Sequence, residues 1–208
     1  MTFRALTLED FNCRVQAREP TPGGGSVSAV VGALAASLGV MTAQFTLGRE
    51  EFAAVAGDVE RLRGELANAS AALLALADDD ARAYDAFSSA QKLAKATVEE
   101  KKTRKAAMQE ALRRAADVPL AGMRACRDVL GLLRELLPKS NPHLASDVGT
   151  GAHLALAALH GCRLNVQVNL ASLQDADAVE RLRGEAGRLT EEAEAALRDV
   201  ARALAAAK

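Results

Sequence analysis

Tryptophan is absent from the chain, tyrosine occurs once and phenylalanine five times in 208 residues. So few aromatics leave none of the stacking platforms on which single-stranded nucleic-acid binders hold bases. Charge of one sign is also missing. Lysine and arginine number 26 against 27 aspartates and glutamates, a net charge of −1, which removes the basic excess of a general nucleic-acid or anionic-membrane binder. Cysteine is scarce: Cys13, Cys126 and Cys162 are odd in number and far apart. They fit neither a zinc spacing nor a disulfide framework, and are expected to be buried, reduced thiols of a cytoplasmic protein. The first ten residues lack the apolar core of a signal peptide. His143, His153 and His160 have no carboxylate at a helical offset that completes a zinc site, so no metal and no cofactor are expected. Segments of period two are missing throughout, and with them any case for a sheet.

What remains is alanine and leucine with charged residues between them, the composition of packed helices. The expected fold is a single all-α domain over 1–208, a bundle of about six or seven helices with long central ones. Thr7 caps a short helix to about Ala17. A second helix runs from Ser26 to about Leu47. Its run Val27–Leu47 is long enough to raise a membrane span, but Gly, Ala, Ser, Thr and Gln44 within it indicate a central buried helix. Small residues at Ser28, Gly32, Ala36, Gly39 and Ala43 let another backbone approach closely. A third helix begins near Glu50 and passes Phe87. Thr97 and Glu100 form a capping box for the next, which Pro119 is expected to kink or break. The following helix ends near Leu137. Ser146 or Asp147 is expected to cap one from Val148 to Leu173, and Asp177 to start the last. The heptad Val-Glu-Arg-Leu-Arg-Gly-Glu occurs at both 59–65 and 179–185. The match ends there, so it is a coincidence of two amphipathic helices.

The most distinctive stretch is Thr21-Pro22-Gly23-Gly24-Gly25-Ser26, immediately before the apolar helix. A glycine loop feeding a helix start offers free backbone N–H groups under the positive end of the helix dipole, a seat for a carboxylate, phosphate or carbonyl oxygen. A sharp turn into a buried helix explains the same residues. No lysine follows, so it is not a phosphate loop of the Gly-x-x-x-x-Gly-Lys type, and no strand precedes it, so it is not a dinucleotide fingerprint. Ser26 stands where it can cap the helix.

Polar residues in apolar surroundings supply the remaining chemistry. One of Asp78, Asp79 and Asp80 points inward beside Tyr84 and Phe87, the others remaining in water, and Asp80 has the spacing for it. Asn165 and Asn169 share a stripe with Leu154, Ala158 and Gly161, and their amides must bond to other helices or to a ligand. With Lys95, Arg104 and Asp147 they make a set of charges and amides without a covalent nucleophile. Such a set suits a charged polar heterocycle and the movement of a proton or a water. The cations at 101–105 read otherwise as a solvated face.

In order and at compatible spacing, these residues resemble the cyclodeaminase/cyclohydrolase family of folate enzymes. The Thr21–Ser26 loop leads to an apolar helix closing on Leu47-Gly48-Arg49. Asp80 precedes Ala86-Phe87. Leu93-Ala94-Lys95 stands for Leu-Pro-Lys, and Glu99–Arg104 and Val118-Pro119-Leu120 follow. Ser140-Asn141 with Ser146-Asp147 stands for Gly-Asn-x-x-x-x-Ser-Asp, and Asn165-Val166 with Asn169 closes the series. The resemblance spans residues 5 to about 175. Ala94 replaces a proline, without which the third helix could run on and carry Lys95 about 22 Å from Asp80. The resemblance implies an all-helical homodimer holding a reduced folate near the subunit interface, without nucleic acid or membrane as partner. It implies hydrolysis of 5,10-methenyltetrahydrofolate to 10-formyltetrahydrofolate, or closure of the 5-formimino form with release of ammonia. The missing transferase domain favours the first. A non-catalytic folate-binding or interaction dimer is the third possibility. Asp147 or Asp80 would stabilise the amidinium cation and take a proton from water. Asn165 and Asn169 would hold the pterin edge or orient the water. Lys95, Arg104 or the amides of Gly23, Gly24, Gly25 and Ser26 would bind the glutamate tail, with Asn141 and Ser146 in the polar loop beside Asp147.

Overall fold

The computed structural model describes residues 2–206. Six α-helices account for most of them: α1 (Leu8–Gln16), α2 (Gly24–Thr46), α3 (Ala56–Gln91), α4 (Val98–Leu136), α5 (Ala145–Leu170) and α6 (Ala176–Ala206). Short 3-10 turns at Phe3–Ala5, Glu50–Val55, Leu137–Lys139 and Pro142–Leu144 join them, and no strand occurs among the described residues.

α2 is the axis of the bundle, with α3, α4 and α5 around it and α6 against α4 and α5. Its small residues set the distances. A Cβ on Gly32 would come 2.9 Å from Cys126 Sγ, and one on Gly39 would come 2.7 Å from methyls of Leu66 and Leu133. Any larger residue there would force these side chains to shift. α5 runs antiparallel to α2: Gly161 faces Ser28, Gly151 faces Ala35, and the Asn141 N–H bonds Thr46 Oγ1 at the end of α2. α2 is long and apolar enough to cross a membrane by length and composition, and half of its most apolar window is buried against its neighbours.

Caps made by adjacent residues occur where the sequence places them. Thr7 accepts the Asp10 N–H, and Thr97 and Glu100 form the reciprocal capping box. Four expectations are corrected. α2 starts at Gly24, with Gly23 as its N-cap, so Ser26 lies inside the helix and its hydroxyl turns to α3 instead of capping. α5 starts at Ala145 with no side-chain cap, so neither Ser146 nor Asp147 caps it; Asn141 instead accepts the His143 N–H in the preceding turn. α6 is started by Asp175, whose carboxylate accepts the Ala178 N–H. Lastly, α4 does not break at Pro119 but continues as one helix through it. Proline cannot donate to the carbonyl four residues back, but Asn169 of α5 donates its side-chain N–H to that oxygen, on Ala115, at 2.7 Å.

Ala94 does not extend α3. The helix stops at Gln91, where Arg104 Nε bonds the Gln91 carbonyl at 3.0 Å and ties the end of α3 to α4. Cys126 and Cys162 are buried and Cys13 is exposed, which corrects the expectation of three buried thiols. Burial pushes the Cys162 thiol up to about 12, so it stays protonated and inert.

Candidate functional site

The N-terminal end of α2, the C-terminal half of α3 and the C-terminal end of α5 enclose a cleft of about 350 Å³. Thr21, Gly23, Gly24 and Gly25 form one wall, Asp80, Tyr84 and Phe87 a second, Asn165, Val168 and Asn169 a third, and Ala115 of α4 adds to the lining. The glycine loop, Asp80 and the two asparagines are thus brought together from positions up to 148 residues apart, from Thr21 to Asn169.

Asp80 is the charged centre of the cleft. Its carboxylate lies against the first turn of α2, where a Cβ on Gly25 would come 2.6 Å from Asp80 Cγ. Only glycine leaves that space. Ser26 Oγ is 2.9 Å from Asp80 Oδ2 and 3.0 Å from the Ala77 carbonyl. Burial pushes the Asp80 carboxyl above its usual range, against the hydroxyl and backbone N–H of Ser26, which favour the charged form. The hydroxyl carries a single proton. It donates to Asp80 when the carboxyl is ionised. When the carboxyl is protonated, it can donate to Ala77 and accept from Asp80. The fully buried Ser26 therefore serves both protonation states of its neighbour.

Asn165 Nδ2 donates to the Gly161 carbonyl at 2.9 Å, and Asn169 Nδ2 donates to the carbonyls of Ala115 at 2.7 Å and Asn165 at 3.0 Å. The two asparagines therefore bond to helices through their nitrogens and face the cleft with their remaining polar capacity.

The other candidates lie elsewhere in the chain. Asn141 is buried at the far end of α2, about 30 Å from Gly24 at a rise of 1.5 Å per residue. Ser146 and Asp147 follow it in the first turn of α5, exposed and half-buried. Lys95 is exposed on the α3–α4 connection, and Arg104 braces the end of α3; neither lines the cleft. Of the three consecutive aspartates two turn inward, not one. Asp78 is 6% exposed and its Oδ1 accepts the Phe3 N–H at 2.6 Å, with Arg4 3.6 Å from Oδ2, while Asp79 pairs with Arg82 in water. Ala115 and Val168 are lining residues that sequence reasoning missed. Val168 carries a signal, since it adjoins Asn169 and is three residues from Asn165; Ala115 carries none. Among the described residues no group of three or more His, Cys, Asp or Glu is placed to hold a metal ion.

The chain is similar to known proteins over most of its length. The family model described as formiminotransferase-cyclodeaminase matches residues 7–188. Methenyltetrahydrofolate cyclohydrolase of Methylorubrum extorquens is 39% identical over 186 residues, 89% of each chain. Formimidoyltransferase-cyclodeaminase of Rattus norvegicus is 38% identical over 187 residues, 90% of this chain but 35% of that longer one. The crystal structure of formiminotetrahydrofolate cyclodeaminase from Thermotoga maritima matches with a TM-score of 0.88 at 30% identity, covering 98% of each chain.

Proposed function

The chain belongs to the formiminotransferase-cyclodeaminase family, and we propose that it is a folate one-carbon enzyme that hydrolyses 5,10-methenyltetrahydrofolate to 10-formyltetrahydrofolate. The observation that carries the reading is the half-buried, raised Asp80 carboxyl in a cleft walled by the glycine loop and two amides. The methenyl carbon belongs to an amidinium cation. An ionised Asp80 stabilises that cation and accepts a proton from the attacking water. The water oxygen bonds to the methenyl carbon, giving a tetrahedral carbinolamine. The C–N5 bond then breaks as the hydroxyl becomes a carbonyl and N5 takes up a proton, with one proton released overall.

Hydrolysis is favoured by the likeness to the Methylorubrum extorquens cyclohydrolase over 89% of both chains. The second reading, closure of 5-formiminotetrahydrofolate with loss of ammonia, is favoured by the full-length likeness to the Thermotoga maritima cyclodeaminase. Both pass through a tetrahedral carbon between two nitrogens. Purified protein offered each substrate separates them: decay of methenyl absorbance above the uncatalysed rate supports the first, whereas ammonia release alone supports the second.

The protein acts as a homodimer in this account. Leu34 and Phe45 of α2 and Leu164 and Val168 of α5 are 54–71% exposed, an unusual apolar cost for a soluble surface. A second copy covers them if a two-fold axis lies in the plane of the face that α2 and α5 share, perpendicular to the two helices. An isologous contact of antiparallel helices carries the Asn141–Asp147 end of one subunit onto the cleft of the other. Asp147, about 27 Å along α5 from the cleft residue Asn165 at 1.5 Å per residue, then lies beside the Asp80 of the other subunit. On this reading the candidates at the two ends of α2 come together across the subunit interface.

A further inference from the structure

In an unbroken α-helix the N–H of each residue bonds the carbonyl four residues before it. α4 is unbroken across Pro119, so the Ala115 carbonyl has no helical donor. A carbonyl left unpaired in a helix packed on both sides is costly, and a donor arrives from α5. Asn169 Nδ2 gives one hydrogen to Ala115 at 2.7 Å and the other to the Asn165 carbonyl at 3.0 Å. Carbonyl oxygens only accept, so the orientation of this amide is fixed and both its hydrogens are spent. Oδ1 has no protein partner among the described residues, and Asn169 lines the cleft.

We propose that Pro119 is a positioning residue of the cleft: by withholding a backbone donor from Ala115 it anchors the Asn169 amide and makes Asn169 a pure hydrogen-bond acceptor toward the ligand. The side chain is thereby matched to a donor on a heterocycle edge, a ring N–H or an exocyclic amino group. A ligand offering only acceptors there would be rejected, because Asn169 has no hydrogen left to give. Proline inside α4 is thus a recognition device as well as an interruption of the helical ladder. The inference rests on the reading of the cleft as the folate site.

The test is a cycle of Pro119→Ala, Asn169→Ala and the double variant. Alanine at 119 restores a helical N–H that competes for the Ala115 carbonyl and releases Asn169. The expected result is a KM for 5,10-methenyltetrahydrofolate raised about five- to tenfold with kcat within about twofold, and a Tm equal to or above the parent's, since alanine suits a helix interior far better than proline. Asn169→Ala should lower Tm in the parent, where it orphans Ala115, and by less than half as much beside Pro119→Ala. The KM effects of the two changes should not multiply. Additive losses of Tm, or an unchanged KM in Pro119→Ala, would overturn the proposal. Absence of turnover in the parent overturns the hydrolase reading alone. The melting cycle and the dissociation constant of tetrahydrofolate then still decide whether Pro119 positions Asn169.

Discussion

A methyl group on Gly25 would stand 2.6 Å from Cγ and 2.7 Å from Oδ2 of Asp80. The glycine loop and the acidic helix are therefore two halves of one device: the loop provides the hollow and α3 provides the carboxylate that fills it. Gly25→Ala forces Asp80 or the start of α2 to move. Turnover of 5,10-methenyltetrahydrofolate is expected to fall about 100-fold or more, with the far-UV circular dichroism of the bundle retained. Undiminished turnover in this variant would show that the seat of Asp80 is unimportant.

Burial raises the Asp80 carboxyl above its ordinary value of 3.8. A folded-state value above the unfolded one favours the protonated fold. Asp80 therefore contributes its full stability below the ordinary value, and that contribution is lost as pH rises through the folded value. At neutral pH the ionised side chain lowers stability. Asp80→Asn should raise Tm at neutral pH, and the gain should shrink as pH falls toward 3.8, where the wild-type carboxyl is mostly protonated. Melting curves across that range check the sign; a gain that grows on acidification would contradict it.

Ser26 opposes the effect of burial, through its hydroxyl and its backbone N–H. Ser26→Ala removes the hydroxyl and leaves the backbone bond. The Asp80 carboxyl then rises further, and the acid limb of kcat/KM moves to higher pH. An acid limb that stays in place would remove Asp80 from the rate-determining protonation.

In the proposed homodimer, Asp80 of one subunit and Asp147 of the other share one site. Asp80→Asn and Asp147→Asn should each abolish most turnover, by about 100-fold or more. Equimolar mixing and reassembly should restore about a quarter of wild-type activity, because half of the dimers are mixed and one of their two sites carries both aspartates. No recovery would mean that each subunit carries a complete site of its own.

Much of this was legible in the sequence, for local reasons. Thr7 and the Thr97–Glu100 pair cap their helices through neighbours three residues away, so spacing alone revealed them. Helical periodicity put Asp80 beside Tyr84 and Phe87, and the small residues of α2 marked it as central. What escaped depends on distant partners. Pro119 signalled a kink or break, and the donor that serves the α4 carbonyl there comes from Asn169, 54 residues from that carbonyl. Asp78 read as solvated because nothing local shows the Phe3 N–H folding back onto it across 75 residues. The separation of Asp147 from Asp80 follows from the antiparallel packing of α5 on α2, which one chain's pattern of residues does not encode.

The most direct measurement is the decay of 5,10-methenyltetrahydrofolate absorbance at neutral pH, with wild-type protein, with Asp80→Asn and with buffer alone. The wild type should exceed the uncatalysed rate by orders of magnitude, and Asp80→Asn should lose about 100-fold or more of that excess while still binding tetrahydrofolate. Full turnover by the Asp80→Asn variant would contradict this expectation.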